Sequence, residues 1–293
     1  MASLKEVKGR INSVKSTSKI TSAMKMVASA KLHKMQKAVE NMLPYEHRLH
    51  SIMADFLESG QDMNIQSPFM MEHDDVKRVA IVVFSSNQSL CGAFNANIIK
   101  AFRKTYNEYK QLGKENVLIY PVGKKIRDAA VKMGIDVKDN YTGMADKPNF
   151  TDASNLAREL MTKYAKKEID KVILIYHHFK STSSQVLTQE TYLPVAMDAK
   201  EQKEEEQNMY FNYILEPSVE ELLINILPKS LRLKIYTVLL DTACSEHAAR
   251  TIAMQTATDN ANDLLDELTL MYNKTRQQAI TSELLDIMGG AQN

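Results

Sequence analysis

Glycine is scarce in this chain: nine occur in 293 residues, about 3% against a typical ~7%. None stands between Gly143 and Gly289, and Pro228 is the last proline. Residues 229–288 therefore hold neither helix breaker, which permits one very long helix. Cysteine is limited to Cys91 and Cys244, read as two reduced thiols of a cytosolic compartment, and no CxxC or Cys/His cluster points to a metal. No run of 18 apolar residues exists, so no membrane span is expected. The N-terminus MASLKEVKGR has no apolar signal core. It is basic and Ser-rich as a transit peptide would be, but its apolar pattern continues far beyond a removable leader. Net charge is only +1, which gives the whole molecule no strong electrostatic preference.

What is present begins with a coiled-coil pattern. Leu4, Val7, Ile11 and Val14 are spaced 3, 4 and 3. Met24, Val27, Lys31, Met35, Ala38, Met42, Tyr45, Leu49 and Ile52 extend the seam in altered phase. The break at Ser16 to Ser22 reads as a stutter that would locally unwind a supercoil. Pro44 is expected to kink this helix, since the pattern resumes at once.

The period changes in the middle of the chain. VKRVAIVVFSS reads as a buried strand and LCGAFNANIIKAFRKTYNEYK as a helix. ENVLIYPVG and KKIRDAAVKMG repeat that alternation. TDASNLARELMTKYAKKE is a third helix capped by Thr151 or Asp152, then KVILIYHHF and SQVLTQETYLPV read as strands. Strands alternating with helices predict a small α/β domain with a largely parallel sheet. The charged spacer from Asp198 to Asn208 reads as a solvated loop.

After Glu216-Pro217, Ser218 and Glu221 have capping-box spacing, and a helix is expected from there to about Met288. Some seventy helical residues span about 105 Å, whereas a compact domain of this length is around 50 Å across. Such a helix must leave the globule as a rod, and the N-terminal helix is the available partner. Charge agrees: residues 1–40 carry nine Lys/Arg and two Asp/Glu, while residues 241–288 carry three and eight. Stretches 21–30 and 241–261 are rich in Ala, Ser and Thr, which lets two backbones approach closely. With ~55 residues in one helix and ~70 in the other, the last ~15 residues of the longer one outrun their partner by about 20 Å. That overhang holds Ile280, Leu284, Leu285, Ile287 and Met288, which another protein should cover.

Catalytic chemistry is thinly represented. The loop SSNQSLCGAFN has one glycine, Gly92, and neither GxGxxG nor GxxxxGK[ST], so independent nucleotide binding is not expected. Cys91 as a nucleophile with His177 or His178 as base is outweighed by a buried structural thiol. The two histidines alternate faces of a strand and cannot readily share a metal. Asp263, Asp266 and Glu267 fit a solvated helix face better than an acid/base pair. The basic N-terminal helix has few aromatics for stacking on nucleic acid, and an acidic protein surface would suit its lysines equally well.

Several stretches carry a family resemblance. ITSAMKMVASAKL is similar to the N-terminal signature of the gamma subunit of F-type ATP synthases. SSNQSLCGAFN resembles that family's SSDRGLCGGFN, with Asn87, Gln88, Ser89 and Ala93 departing from it. SEHAARTIAMQTATDNANDLL and LMYNKTRQQAITSELLDIMGGA resemble its C-terminal signature. The resemblance implies a long antiparallel coiled coil of N- and C-terminal helices plus a small central Rossmann-like α/β domain. It divides the chain into helix 1–58, α/β domain 76–197, spacer and foot 198–215, and helix 216–290. It implies a noncatalytic rotor shaft without a cofactor, on the cytoplasmic face of a bacterial inner membrane. Its partners would be the alpha, beta and epsilon subunits and the membrane c-ring, with no nucleic acid and no membrane span of its own. Matched by motif, Arg276 and Gln277 would meet the beta catch loop, with Ile280, Leu284, Leu285 and Met288 as an apolar bearing. Met24, Lys25 and Arg250 would meet the beta lever loop, and Tyr213 and Glu216 would form the foot on the membrane ring. A nonrotary coiled-coil adaptor, a nucleic-acid arm and an enzyme built on the α/β domain are the rival readings.

Overall fold

The computed structural model describes residues 3–59, 67–71, 73, 75–137, 141–195 and 219–290. The elements are α1 (Leu4–Ser59), β1 (Val79–Phe84), α2 (Phe94–Tyr109), β2 (Val117–Val122), α3 (Lys124–Lys132), α4 (Phe150–Ala165), β3 (Lys171–Ser181), β4 (Ser184–Leu193) and α5 (Val219–Gly290). The fold is a long antiparallel helix pair made by the two ends of the chain plus a small α/β domain. It divides into two units, Met1–Ala30 with Arg250–Asn293, and Lys31–Ala249. The expected spacer, Ser218 and the foot residues lie outside the described residues.

In the larger unit the strand order is β2-β1-β3-β4, with the first three parallel and β4 antiparallel to β3. Every residue of β1 is buried, as a parallel strand covered on both faces requires. Alternation then sorts the side chains. Val79, Ile81, Val83, Ile119 and Ile173 pack with Ile98 and Phe102 of α2 and Ile126 of α3. Ala80, Val82, Phe84, Tyr120 and Leu174 pack with Leu156 and Leu160 of α4 and with Leu231, Ile235 and Leu239 of α5. So α5 belongs to the domain core over this stretch. Residues Val238 to Glu246 are buried without interruption, and within them the run Thr242-Ala243-Cys244-Ser245 lets neighbouring elements approach the helix closely.

Two expected boundaries move. The cap of α4 is Asn149, whose Oδ1 accepts the Asp152 N–H at 2.8 Å, so the helix starts before Thr151 and Asp152. Helix α2 begins at Phe94 because Leu90 (φ 66°) and Gly92 (φ 58°) hold left-handed backbone that a helix cannot include. At the start of α3, Gly123 (φ 112°) is required: a Cβ there would lie 2.2 Å from the Ser85 carbonyl oxygen.

The smaller unit is the helix pair alone. Within it Leu4, Val7, Ile11, Val14, Ser18, Thr21, Lys25 and Ala28 of α1 are at least partly buried, with Ser22 and Met24 flanking the same stripe. From Leu4 to Ala28 the steps of the stripe are 3, 4, 3, 4, 3, 4 and 3, an unbroken heptad seam. The expected stutter is absent. In the larger unit the buried stripe goes on through Leu32, Met35, Val39, Met42 and Leu49, while Val27, Lys31 and Tyr45, assigned to the seam by sequence, are exposed. The cause is that seam positions Ser18, Thr21 and Lys25 are polar, so a pattern followed through apolar residues alone slips out of phase. The hydroxyls are satisfied across the pair. Ser18 Oγ donates to Asn262 Oδ1 at 2.8 Å, and Thr21 Oγ1 lies 2.8 Å from Thr258 Oγ1. On α5 the matching stripe is Met254, Thr258, Ala261, Leu265, Leu268, Tyr272, Thr275 and Ala279. Pro44 and Pro228 both lie inside continuous helices.

Two outcomes are expected. Thr21→Val alone should cost up to about 1 kcal/mol by removing the cross-helix bond and leaving the Thr258 hydroxyl only its Met254 carbonyl, whereas Thr21→Val with Thr258→Val should return part of that loss. Urea unfolding of the four members of the cycle measures it, and strictly additive losses would contradict the cross-helix bond. Second, His177 is 2% exposed and stacked on Phe94 at 4.4 Å, and burial lowers its pKa to about 4. The folded chain keeps the ring neutral, while the unfolded chain protonates it near pH 6.5. Stability should be complete above that value and fall by about 3 kcal/mol as pH drops to 4. His177→Phe should remove this component of the pH dependence in the same assay.

Candidate functional site: the uncovered end of the C-terminal helix

The register of the helix pair locates the site. Ser18 is level with Asn262, so the two numbers sum to 280, and Thr21 with Thr258 gives 279. Leu4, where α1 begins, is therefore level with residue 275 or 276 of α5, yet α5 runs on to Gly290. About 14 residues, or ~21 Å, extend past the first turn of α1. Burial changes at the same place. Up to Ala279 each turn of α5 has a seam residue at least partly buried, whereas Ile280 to Leu285 are all exposed.

This end is apolar. Ile280 is 46% exposed, Leu284 56%, Leu285 63%, Ile287 68% and Met288 69%. Fully burying an aliphatic side chain of this size is worth about 1.5–3 kcal/mol, so a sleeve around several of them would be strongly favoured. Arg276 and Gln277 are exposed and stand where the partner helix stops. Five guanidinium donors and a side-chain amide thus sit at the boundary between the covered and uncovered lengths. The geometry offers a directional polar contact followed by an apolar surface without directional preference.

Met24 and Lys25 are half-buried, with Lys25 on the seam itself. Arg250 is 6% exposed, so it is mostly enclosed by its own chain. All three belong to the smaller unit. Asp263, Asp266 and Glu267 are exposed, as a solvated face requires.

The α/β domain has its ligand crevice filled from within. In an open parallel sheet that crevice lies beyond the carboxyl ends of the strands. Here Phe84, Ser85 and Val122 at those ends meet Leu239, Thr242, Ala243 and Glu246 of α5, leaving a cavity of about 10 Å³. The loop after β1 spends its polar groups on itself and on neighbouring backbone. Asn95 Nδ2 donates to Ser86 Oγ at 2.8 Å, Ser86 Oγ donates to the Gln88 carbonyl at 2.6 Å, and Asn87 Oδ1 accepts the Lys124 N–H at 2.7 Å. Cys91 and Cys244 are buried, and burial pushes the Cys244 thiol up to about 12. His177 faces Phe94, while His178 Nδ1 lies 2.6 Å from Asp241 Oδ2. The two rings therefore diverge.

Sequence reading missed two sets of polar residues. One is the seam group Ser18, Thr21, Thr258 and Asn262, visible only if the heptad is carried through non-apolar positions. The other is Asp241 and Ser245, which bind the end of β3; a carboxylate inside the apolar run TVLLDTAC was the available signal.

Comparison with known proteins bears on all of this. The family model described as ATP synthase matches residues 3–293. An ATP synthase gamma chain from Phocaeicola vulgatus is 60% identical over 291 residues, covering 99% of both chains. Among solved structures, a mitochondrial ATP synthase rotor of Euglena gracilis in rotational state 1 superposes with a TM-score of 0.59 at 19% identity, covering 94% of this chain and 98% of that one. An OSCP/F1/c-ring assembly of the same organism in rotational state 3 gives 0.61 at 20%, covering 99% and 93%.

The exposed end should dominate the behaviour of the isolated chain. Size-exclusion chromatography with light scattering should find the chain aggregated, and Leu284→Ser with Leu285→Ser and Met288→Ser should shift it to a monomer. A monomeric parent chain with a protease-resistant C-terminus would contradict this.

Proposed function

This chain belongs to the ATP synthase gamma chain family, and from that premise we propose that its uncovered helix end turns inside a ring of alpha and beta subunits. It is a noncatalytic subunit serving as the central stalk in ATP synthesis. The catalytic sites are on the beta subunits. No described helix is long and apolar enough to cross a membrane.

The observation that carries the rotary reading is the abrupt loss of cover on α5 beyond Ala279. Below that point the helix has a partner in its own chain; above it, five large apolar side chains wait for one. An apolar collar from the ring supplies that cover and still permits turning, because hydrophobic contact has no preferred direction. Arg276 and Gln277 supply the opposite property. Directional hydrogen bonds to the beta catch loop form and break once per step, and so mark angular positions. Ion flow turns the membrane ring, the ring turns this chain, and the asymmetric helix pair drives each beta site through open and closed states.

The remaining assignments follow the same logic. Residues 1–58 and 216–290 form the shaft, 76–197 the α/β domain, and 198–215 with Tyr213 and Glu216 the foot on the c-ring. Met24 and Lys25 keep part of their surface for the beta lever loop; Arg250, being enclosed, contributes least to a direct contact. The epsilon subunit accompanies the chain, and the complex stands on the cytoplasmic face of a bacterial inner membrane.

Replacing Arg276 and Gln277 with Ala should lower ATPase turnover of the assembled complex by about three- to tenfold, the loss expected for truncating interface anchors. Far-UV circular dichroism should show the chain still folded. Unchanged turnover in the assembled complex would reject these two residues as the catch-loop contact.

A further inference from the structure

Within the larger unit, one stripe of α5 is fastened to the β3–β4 hairpin by polar ties. Tyr192 Oη donates to the Leu231 carbonyl at 2.9 Å. Lys234 Nζ lies 3.2 Å from Glu190 Oε1. Asp241 Oδ1 accepts the Phe179 N–H at 2.8 Å, and its other oxygen lies 2.6 Å from His178 Nδ1. Ser245 Oγ donates to the His177 carbonyl at 3.1 Å. The helix positions, 231, 234, 241 and 245, are separated by 3, 7 and 4, which places all four on a single face. The ties are also spread along the hairpin, since Glu190 pairs with Leu174 whereas His178 pairs with Val186.

This arrangement does something that the surrounding apolar packing does not. Leu231, Ile235 and Leu239 hold the helix against the sheet, but apolar contact resists separation more than it resists sliding or turning. Hydrogen bonds weaken steeply when bent, so those of Tyr192, Asp241 and Ser245, spread along a stripe, resist rotation of the helix about its own axis, and the Lys234–Glu190 ion pair adds a less directional attraction. Asp241 is the strongest of them, because its carboxylate engages a backbone amide and a side chain at once and is itself mostly buried. Both partners also come from the end of β3, where it runs past its pairing with β1 and pairs with β4 alone.

We propose that this stripe is the torque coupling between the α/β domain and the helix: Asp241 and Ser245 with the end of β3, and Lys234 with Glu190 of β4, fix the rotational angle of α5 against the sheet. A turn applied to the domain then reaches the helix without slip. The inference rests on the central-stalk reading. These are positioning residues, acting through the helix they hold.

The experiment uses the whole ATP synthase in membrane vesicles and reads ions pumped per ATP hydrolysed. Asp241→Ala with Ser245→Ala removes three hydrogen bonds and should raise the population of slipped arrangements at least tenfold, about the factor for losing a single charge-assisted one. The pumping ratio should fall while hydrolysis continues. Asp241→Asn keeps an oxygen for the Phe179 amide and should restore most of the ratio. A stabilising role alone would lower assembly and thermal midpoint but leave the ratio of assembled complexes at its parent value, and that result would overturn the proposal. If the double variant fails to assemble, Lys234→Met, which alters a partly exposed pair, takes its place, and an unchanged ratio there also overturns it. Vesicles that pump and hydrolyse equally with and without this chain would refute the central-stalk reading itself.

Discussion

The alignment of two antiparallel helices determines what this protein leaves bare. Two contacts carry it, Ser18 to Asn262 and Thr21 to Thr258. Apolar heptads alone would accept several registers, because one Val or Leu layer resembles the next. A matched pair of polar groups accepts one, since a slip strands both in an apolar seam. With that register Leu4 stands level with residue 275 or 276, and among the described side chains beyond Ala279 those of Ile280 to Leu285, Ile287 and Met288 are all exposed. Moving the pair by one heptad would cover Arg276 and Gln277 or expose about two more turns.

The same helix meets three environments, and its composition changes with each. From Leu231 to Glu246 it lies in the core of the α/β domain, where large apolar side chains such as Leu231, Ile235 and Leu239 give way to the small run Thr242 to Ser245 and to polar ties. From Met254 to Ala279 only one stripe is buried, and Leu264, Leu270 and Met271 already stand exposed outside it. From Ile280 onward nothing among the described residues covers the helix, and five large apolar side chains are exposed together. At the strand ends, where an open parallel sheet offers its crevice, Leu239, Thr242, Ala243 and Glu246 of α5 take the place.

Much of this was legible in the residues. The absence of glycine and proline after Pro228 announced the long helix, and β-branched runs such as VAIVVF and KVILIY marked the strands. The overhang followed from helix lengths alone. What escaped was polar. Ser18, Thr21 and Lys25 hold seam positions without being apolar, so the periodicity seemed to break where it does not. Asn149 caps α4 one turn ahead of the acidic residue that resembled a cap. Arg250 carries a charge and is enclosed, which no spacing rule foretells. Polar residues in buried places depend on a partner distant in sequence, and a local pattern does not contain that partner.

Amide hydrogen exchange across 277–290, compared between the free chain and the assembled complex, addresses the central claim most directly. The account predicts fast exchange in the free chain and strong protection once alpha and beta subunits surround the helix end. Equal exchange rates in both states would mean that nothing grips this end, and the rotary reading of the chain would fail with it.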